Sequence, residues 1–320
     1  MSTRWHDRVG QRVVVRHRLP DGSATDVVGK LLRADDAVLV VAGSRGEVTV
    51  AVADVVVGKV VPPRPSRPAP PHLALSVDDL ERVMAAHWLP HDRERLGDWL
   101  LRAAGGFTNR GNSVLVTGSP GIPLVDAVEH VTAWYTERAL PPRAAVPDGT
   151  GATHPFTAAG WARLPGASAD VLTARTSVLT SGPGLPAGLT LDLADRPDAA
   201  WQQLYRYRGQ ELPAGALELL LSAPEQAFAS VRAAGSTVAV GRGSLAHAWL
   251  GVTAVEVAPD QRRRGLARAV LAALAGWGAA RGARSTYLQV GEGNKAALGL
   301  YLSAGFTVHH RYDYLSPPPR

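Results

Sequence analysis

The sequence predicts a mixed α/β protein with a small all-β domain in front of it. Three observations carry this. Residues 62–71, PPRPSRPAPP, hold six prolines and two arginines in ten positions, a composition that favours a stiff, extended polyproline II spacer. Before that stretch come about five short β-branched runs separated by turn signals. After it, the order strand–helix–strand–helix–strand occurs twice.

In the first region, Val9–His17, Asp26–Leu32, Ala37–Val41, Glu47–Val52 and Val55–Val61 read as strands. Pro20-Asp21-Gly22, Ala34-Asp35-Asp36 and Gly43–Gly46 supply turns. Five strands in fifty-odd residues suggest a small barrel over residues 1–61. It resembles an SH3-like barrel, carries eleven basic and seven acidic residues through residue 70, and shows nothing catalytic. The spacer occupies 62–71.

From residue 72 the periodicity changes. Val77–Trp88 reads as a helix with Leu80, Val83, Met84 and His87 on one face, stopped by Pro90. His87 and His91 stand four apart, as helical metal ligands do, but Pro90 between them spoils that geometry, and no metal is expected. Asn112–Val116 reads as a strand, Ile122–Ala139 as a helix, Arg143–Val146 as a strand, Thr157–Arg163 as a short helix and Asp170–Thr180 as a strand. The second pass is sharper. Gly251–Ala258 reads as a strand and Gly265–Arg281 as an amphipathic helix. Ser285–Val290 is a strand, Asn294–Ser303 a helix and Phe306–Leu315 the closing strand. Ala158-Ala159 followed by Gly166 echoes Ala296-Ala297 followed by Gly305, which suggests a diverged internal repeat. The expected boundaries are 72–185 for the first half, 186–315 for the second and 316–320 for a frayed tail.

Composition narrows the chemistry. The chain of 320 residues has no cysteine, which excludes disulfides, thiolate metal sites and cysteine nucleophiles. Its net charge is +6. Only Lys30, Lys59 and Lys295 are lysines; with so much Ala, Gly and Pro, the arginine excess fits GC-rich coding better than a nucleic-acid surface. The N-terminus lacks the apolar core of a signal peptide, and no run is long enough to span a membrane, so a cytoplasmic protein is expected. Gly241-x-Gly243-x-x-Ala246 imitates a dinucleotide fingerprint, but strand-like flanks suggest a hairpin turn there. G-x-x-x-x-G-K-[ST], H-E-x-x-H and G-x-S-x-G are absent.

The informative stretch is Val255-Glu-Val-Ala-Pro-Asp-Gln-Arg-Arg-Arg-Gly-Leu-Ala267. A strand, a sharp loop and a helix start stand together. The first helical turn leaves amide N–H groups without partners, and the helix dipole adds partial positive charge. Gly265 lets an anion approach the backbone, Ala267 keeps the approach open, and Arg262, Arg263 and Arg264 add forked donors suited to phosphate. A solvated arginine run capping the helix is the bland alternative. About thirty residues on, Asn294-Lys-Ala-Ala-Leu-Gly-Leu-Tyr-Leu-Ser-Ala-Gly-Phe306 has Asn294 as N-cap and Gly305 as a helix stop. Taken alone, Tyr301 is an ordinary core residue of that helix.

Together these stretches closely resemble the GNAT (Gcn5-related) N-acetyltransferase superfamily, over about residues 200–315. The whole chain also resembles actinobacterial acetyltransferases that carry an SH3-like domain in front. The resemblance implies an α+β GNAT fold with a mixed central sheet, here a tandem of a degenerate and an intact half. It implies acetyl-CoA as co-substrate, an amine acceptor, and no metal. Val255 and Val257 would pair with the pantetheine amides. Arg262, Arg263, Arg264, Gly265, Leu266, Ala267 and Arg268 would cradle the phosphates, and Asn294 would position the pantetheine arm. Tyr301 would be general acid to the departing thiolate. Without cysteine, a direct ternary-complex transfer is expected. Glu256 is the candidate base nearest in sequence, with a solvated strand residue as the alternative; His247 and His309 cannot be ranked. In the first half Ser119-Pro-Gly-Ile-Pro123 replaces the arginine loop, and Trp161 falls near the tyrosine position. Thr108, Asn109, Arg110 and Asn112 are polar candidates for an acceptor pocket. The rival expectation is a non-catalytic acetyl-CoA-binding regulatory protein whose barrel recruits a protein or nucleic acid. No membrane partner is expected, and neither the acceptor nor the oligomeric state follows from sequence.

Overall fold

The computed structural model describes residues 5–19, 22–43, 46–61, 70–148, 153–206 and 210–318. The chain divides into two compact units, residues 1–68 and 69–320. Residues 62–69 of the proline-rich spacer, and the turn residues Pro20, Asp21, Ser44 and Arg45, lie outside the described set.

In the first unit, β1 (Arg12–Arg18), β2 (Ala24–Ala34), β3 (Val38–Gly43), β4 (Gly46–Ala51) and β5 (Val55–Val60) form one antiparallel sheet in the order β4-β3-β2-β1-β5. Alternation drives it: Val13 and Val15 of β1 point inward with Leu31, Leu39 and Val41, all fully buried. The expected closed barrel needs correction. A single 3-10 turn, Val52–Asp54, carries the chain from β4 to the free edge of β1. Among the described residues β4 and β5 remain opposite edges, and no pairing closes the sheet.

The second unit begins with α1 (Val77–Ala85), whose N-cap Ser76 accepts a hydrogen bond from the Asp79 amide. It ends three residues before the expected Trp88. Then follow β6 (Asp92–Leu96), β7 (Trp99–Ala103), β8 (Val114–Leu115), α2 (Leu124–Glu137), β9 (Ala144–Pro147), α3 (Thr153–Ala158), β10 (Ala162–Arg163), β11 (Ala169–Arg175) and α4 (Thr176–Leu179). The chain continues through β12 (Leu189–Ala194), α5 (Ala199–Leu204), α6 (Ala216–Leu220), β13 (Glu225–Ala233), β14 (Ser236–Ala246), β15 (Trp249–Val257), α7 (Leu266–Ala280), β16 (Ser285–Gly291), α8 (Lys295–Ser303) and β17 (Thr307–Ser316).

These strands make one mixed sheet in the order β12-β13-β14-β15-β16-β11-β17-β9-β8-β7-β6, with β10 added beside β17. Only β8·β9 and β15·β16 are parallel. Each parallel pair is joined by a crossover helix, α2 in one half and α7 in the other. The closing strands are exchanged. β11, which ends the first half, pairs along its whole length with β16 of the second. β17, which ends the second half, pairs with β9 of the first through Tyr312–Leu315. The two closing strands also pair with each other. α1 packs beneath this seam, with Leu80 and Met84 against Val171, Tyr287, Tyr312 and Tyr314.

Several sequence expectations change. The short helix placed at Thr157–Arg163 lies at Thr153–Ala158, and Ala162–Arg163 is strand. Trp161 is therefore not the counterpart of the tyrosine. Its amide reaches back to the Phe156 carbonyl just as the Phe306 amide reaches back to that of Tyr301, so Phe156 stands in the tyrosine position. This also moves the repeat: Gly160, at φ +80, corresponds to Gly305 rather than Gly166. Asp170–Thr180 breaks at Arg175 into α4. Gly241 and Gly243 lie inside β14; the turn is at His247 and Ala248, both at positive φ. The glycines serve packing instead: a Cβ at Gly241 would stand 2.5 Å from Val270 Cγ1 of α7. Ser316, expected in the tail, still belongs to β17 and donates to the Pro142 carbonyl.

Candidate functional site

α7 lies against β14 and β15 with Leu266, Val270, Leu271 and Leu274 buried, each contributing roughly 1.5–3 kcal/mol by burial. That packing fixes where its N-terminus opens. The loop before it takes two left-handed residues, Arg263 at φ +65 and the N-cap Gly265 at φ +81. A left-handed arginine costs about 1–2 kcal/mol. Alternation of such residues turns successive amides to one side, the geometry of an anion nest. Gly265 has no side chain to cap the helix, so no cap side chain competes for the first-turn amides.

β15 supplies the second wall. It pairs with β16 only from Trp249 to Val252. Its register against β14 shifts between Val240 and Arg242, and Ala254 sits at φ +55. This bulge turns the strand away, leaving Glu256 and Val257 paired with β14 alone and Val255 within the register shift. The edge facing α8 is thus open to an added strand. α8 makes the third wall. Asn294 Oδ1 accepts from the Ala297 amide and caps it.

Between these walls lies a cleft of ≈ 890 Å³. Val255, Glu256, Val257, Arg262, Arg263, Gly265, Leu266, Ala267, Arg268, Asn294 and Tyr301 all line it. Arg264 does not; its guanidinium is hydrogen-bonded to Gln261. The cleft also takes Gln261 and Lys295, which sequence reasoning left out. Lys295 directly follows the predicted cap Asn294, so its position was readable from the motif. Four cations (Arg262, Arg263, Arg268 and Lys295) face one carboxylate, Glu256, among the lining residues. Arg268 Nη2 donates to the Ser303 carbonyl at 2.7 Å and ties α7 to the end of α8.

Tyr301 is buried and packs edge-on against Phe306, with ring centroids 5.7 Å apart. Burial pushes its phenol up to about 12, and the Glu256 carboxylate adds to the rise. The hydroxyl therefore keeps its proton at neutral pH. Glu256 Oε1 accepts from Arg262 Nη2 at 3.3 Å, so this carboxylate is already engaged within the chain. Arg262 Nε also donates to the Val257 carbonyl. Neither His247 nor His309 lines the cleft. His309 is held to the Leu75 carbonyl and to His310, and burial pushes its imidazole down.

A second cavity of ≈ 290 Å³ adjoins along β15: Val252, Thr253 and Ala254 line it, directly before the three residues that line the cleft. Thr108, Asn109 and Arg110 line this cavity as well. Asn112, expected with them, is fully engaged in holding its own loop. Its Oδ1 accepts from the Ala104 and Gly106 amides, and its Nδ2 donates to the Phe107 and Thr108 carbonyls.

The corresponding corner of the first half is filled. Its loop amides are taken by carboxylates: the Gly118 amide donates to Asp78 Oδ2 and the Ser119 amide to Asp98 Oδ2, both at 2.9 Å. His87, once a metal candidate, is buried against Ser244 and Tyr287. Among the described residues no group of three or more His, Asp or Glu could hold a metal ion, and no helix is long and apolar enough to cross a membrane.

Comparison with known proteins agrees with this architecture. A family model described as "Probable histone acetyltransferase Rv0428c C-terminal" matches residues 76–315, and one described as "Rv0428c N-terminal Sm-like domain" matches residues 7–59. The small β domain thus matches an Sm-like model, similar to but not identical with the SH3-like domain expected. Over 96% of its length the chain is 33% identical to a probable histone acetyltransferase of Mycobacterium tuberculosis, covering 95% of that protein. A GCN5-related N-acetyltransferase from Kribbella flavida superposes with a TM-score of 0.59 at 17% identity, over 76% of this chain and 96% of that one. A tandem GNAT protein from the clavulanic acid biosynthesis pathway gives a TM-score of 0.50 at 15% identity, over 60% of this chain and 69% of that one. At these identities the structural likeness is one of fold.

Proposed function

The chain belongs to the GNAT N-acetyltransferase superfamily, in the family of the probable histone acetyltransferase Rv0428c, and on that premise we propose that it moves an acetyl group from acetyl-CoA directly to a primary amine. The observation that carries this is the cleft: a left-handed loop and an open helix N-terminus ringed by four cations, beside an unpaired strand edge and a buried phenol. The loop amides with Arg262 and Arg263 would hold the pyrophosphate. Lys295 is placed to add charge, and Arg268 holds the α7 and α8 walls together. The open edge at Val255–Val257 would pair with the pantetheine amides, and Asn294 sets the end of α8 beside that arm.

In the transfer, the amine lone pair forms the N–C bond at the thioester carbonyl. The C–S bond breaks, the sulfur takes the Tyr301 proton, and the proton lost by nitrogen passes to water. Water from the exposed side of the cleft then re-protonates the phenolate. Glu256, held by Arg262, would shape the cleft rather than accept that proton.

The boundaries we propose are a β domain through residue 61, a spacer over 62–71, a cofactor-free half over 72–185 and a transferase half over 186–315. The test is calorimetry of acetyl-CoA with the intact protein, followed by thiol release with an amine panel. Saturable binding with thiol release in the presence of amine supports the assignment. Binding without turnover on any amine would favour the non-catalytic alternative, and absence of binding at millimolar acetyl-CoA would remove both.

A further inference from the structure

The cavity beside β15 has an unusual polar balance. Most of its polar wall is already engaged. Thr108 Oγ1 accepts from Trp88 Nε1 and from the Gly111 amide. Asn109 Oδ1 accepts from Arg143, and Ser168 is held between Arg163 and Asp313. Two groups differ. Arg110 Nε and Nη1 are sealed from solvent without a hydrogen-bond partner among the described residues, and so is Gln289 Oε1. Both side chains line the cavity.

Among the described residues Arg110 has no ion-pair partner. Its guanidinium lies over the Trp88 ring at 5.2 Å, and Arg242 lies over the same ring at 5.2 Å. Arg242 is spent on the Leu220 and His87 carbonyls and on Thr253. The nearby buried carboxylate, Glu81, accepts from His310 Nε2 at 2.9 Å. A buried cation with unused donors costs stability unless something pairs with it. A buried carbonyl oxygen without a donor is a smaller version of the same problem.

We propose that this cavity is the acceptor subsite, and that it takes a small amine bearing a carboxylate, with the carboxylate on Arg110 and the amine donating to Gln289 Oε1. The inference rests on the acetyl-transfer assignment and names the substrate class for it. At ≈ 290 Å³ the cavity suits an amino-acid-sized molecule. A guanidinium on the cavity wall matches a carboxylate by charge and by hydrogen bonds. Its charge disfavours a basic peptide tail. Because Val252–Ala254 wall this cavity and Val255–Val257 wall the cleft, an amine seated here is delivered along β15 toward the thioester.

The experiment compares amino acids with their own carboxamides as acceptors, alongside a lysine-rich histone-tail peptide, by thiol release from acetyl-CoA. The free acids are expected to have at least tenfold higher kcat/KM than the carboxamides. Arg110→Gln is expected to abolish that ratio through KM, and Arg110→Lys to restore part of it. Gln289→Glu, which adds a negative charge to the wall of the same cavity, keeps the test alive if Arg110→Gln fails to fold; it is expected to invert the preference. Equal use of acids and carboxamides, better use of the tail peptide, or an unchanged ratio in the variants overturns the inference while leaving acetyl transfer intact. Titration of N-acetyl-amino acids into the protein without CoA separates the two ideas. Binding that is lost in Arg110→Gln supports the subsite even if acetyl-CoA does not bind, and no binding to the parent protein refutes it.

Discussion

The two strand-to-helix corners of the second unit share one order of elements and do opposite things with their amides. In the second half, Arg263 and Gly265 at positive φ open the loop, no side chain caps α7, and cations surround the gap. In the first half, Asp78 and Asp98 reach in and accept from the Gly118 and Ser119 amides. The position of Tyr301 is held there by Phe156, stacked against Trp99 with ring centroids 5.6 Å apart. An amide that already has a carboxylate partner has nothing to offer a phosphate. One corner therefore spends its donors within the chain, and the other leaves them open to the ligand we propose.

The comparison breaks most clearly under charge reversal. Arg262→Glu with Arg263→Glu is expected to weaken acetyl-CoA binding at least ~100-fold, since each charge-assisted contact is worth about 1.5–3 kcal/mol; calorimetry reads this directly. The filled corner should answer differently. Asp98→Ala leaves the Ser119 amide without its acceptor and is expected to cost about 1–3 kcal/mol by denaturant unfolding, with acetyl-CoA affinity unmoved. A drop in affinity there would mean the first half still takes part in cofactor binding.

Tyr301→Phe copies the residue of the first half into the second. It is expected to lower kcat at least ~tenfold while acetyl-CoA affinity stays within about twofold. Turnover equal to the parent's would remove the phenol from catalysis. The pH profile sharpens this point. With its pKa raised to about 12 by burial, Tyr301 stays protonated across the usual assay range. The rate should then climb as the acceptor amine loses its proton and show no alkaline downturn below about pH 10. A downturn near pH 9–10 that vanishes in Tyr301→Phe would show an unshifted phenol. The smallest expected effect is Gly265→Ala. Space exists for the methyl, since the nearest atom is Pro183 Cγ at 3.5 Å, but φ +81 disfavours it by about 1–2 kcal/mol. A modest affinity loss with a similar loss of stability is the expected result.

Much of the cleft proposed for acetyl-CoA was readable as contiguous motif. Strand, loop, Gly265, helix and the Asn294 cap follow from short-range rules, and all but Arg264 of the named residues line one cavity. Arg264 was included because three adjacent arginines look alike in sequence, while the left-handed turn at Arg263 sends the third toward Gln261. The glycines of β14 misled for a related reason. Gly241 and Gly243 look like a turn, yet they are small because α7 lies on them. In the first half, Phe156 was hidden because the short helix was placed four residues late, with a tryptophan in the tyrosine's place.

By itself the sequence determined the periodicities, the caps, the charged loop and the doubled order of elements, because each is written in residues within a few turns of one another. Only the tertiary structure decided which edge each closing strand would take. β11 and β17 trade halves because their pairing energy is gained with distant partners that no local pattern names. The same long-range assembly sets Arg110 and Gln289 in the wall of one cavity and leaves Arg110 Nε and Nη1 and Gln289 Oε1 without hydrogen-bond partners among the described residues. Whether a polar group is spent or spare depends on every chain segment that packs around it, and that is fixed only when the fold is complete.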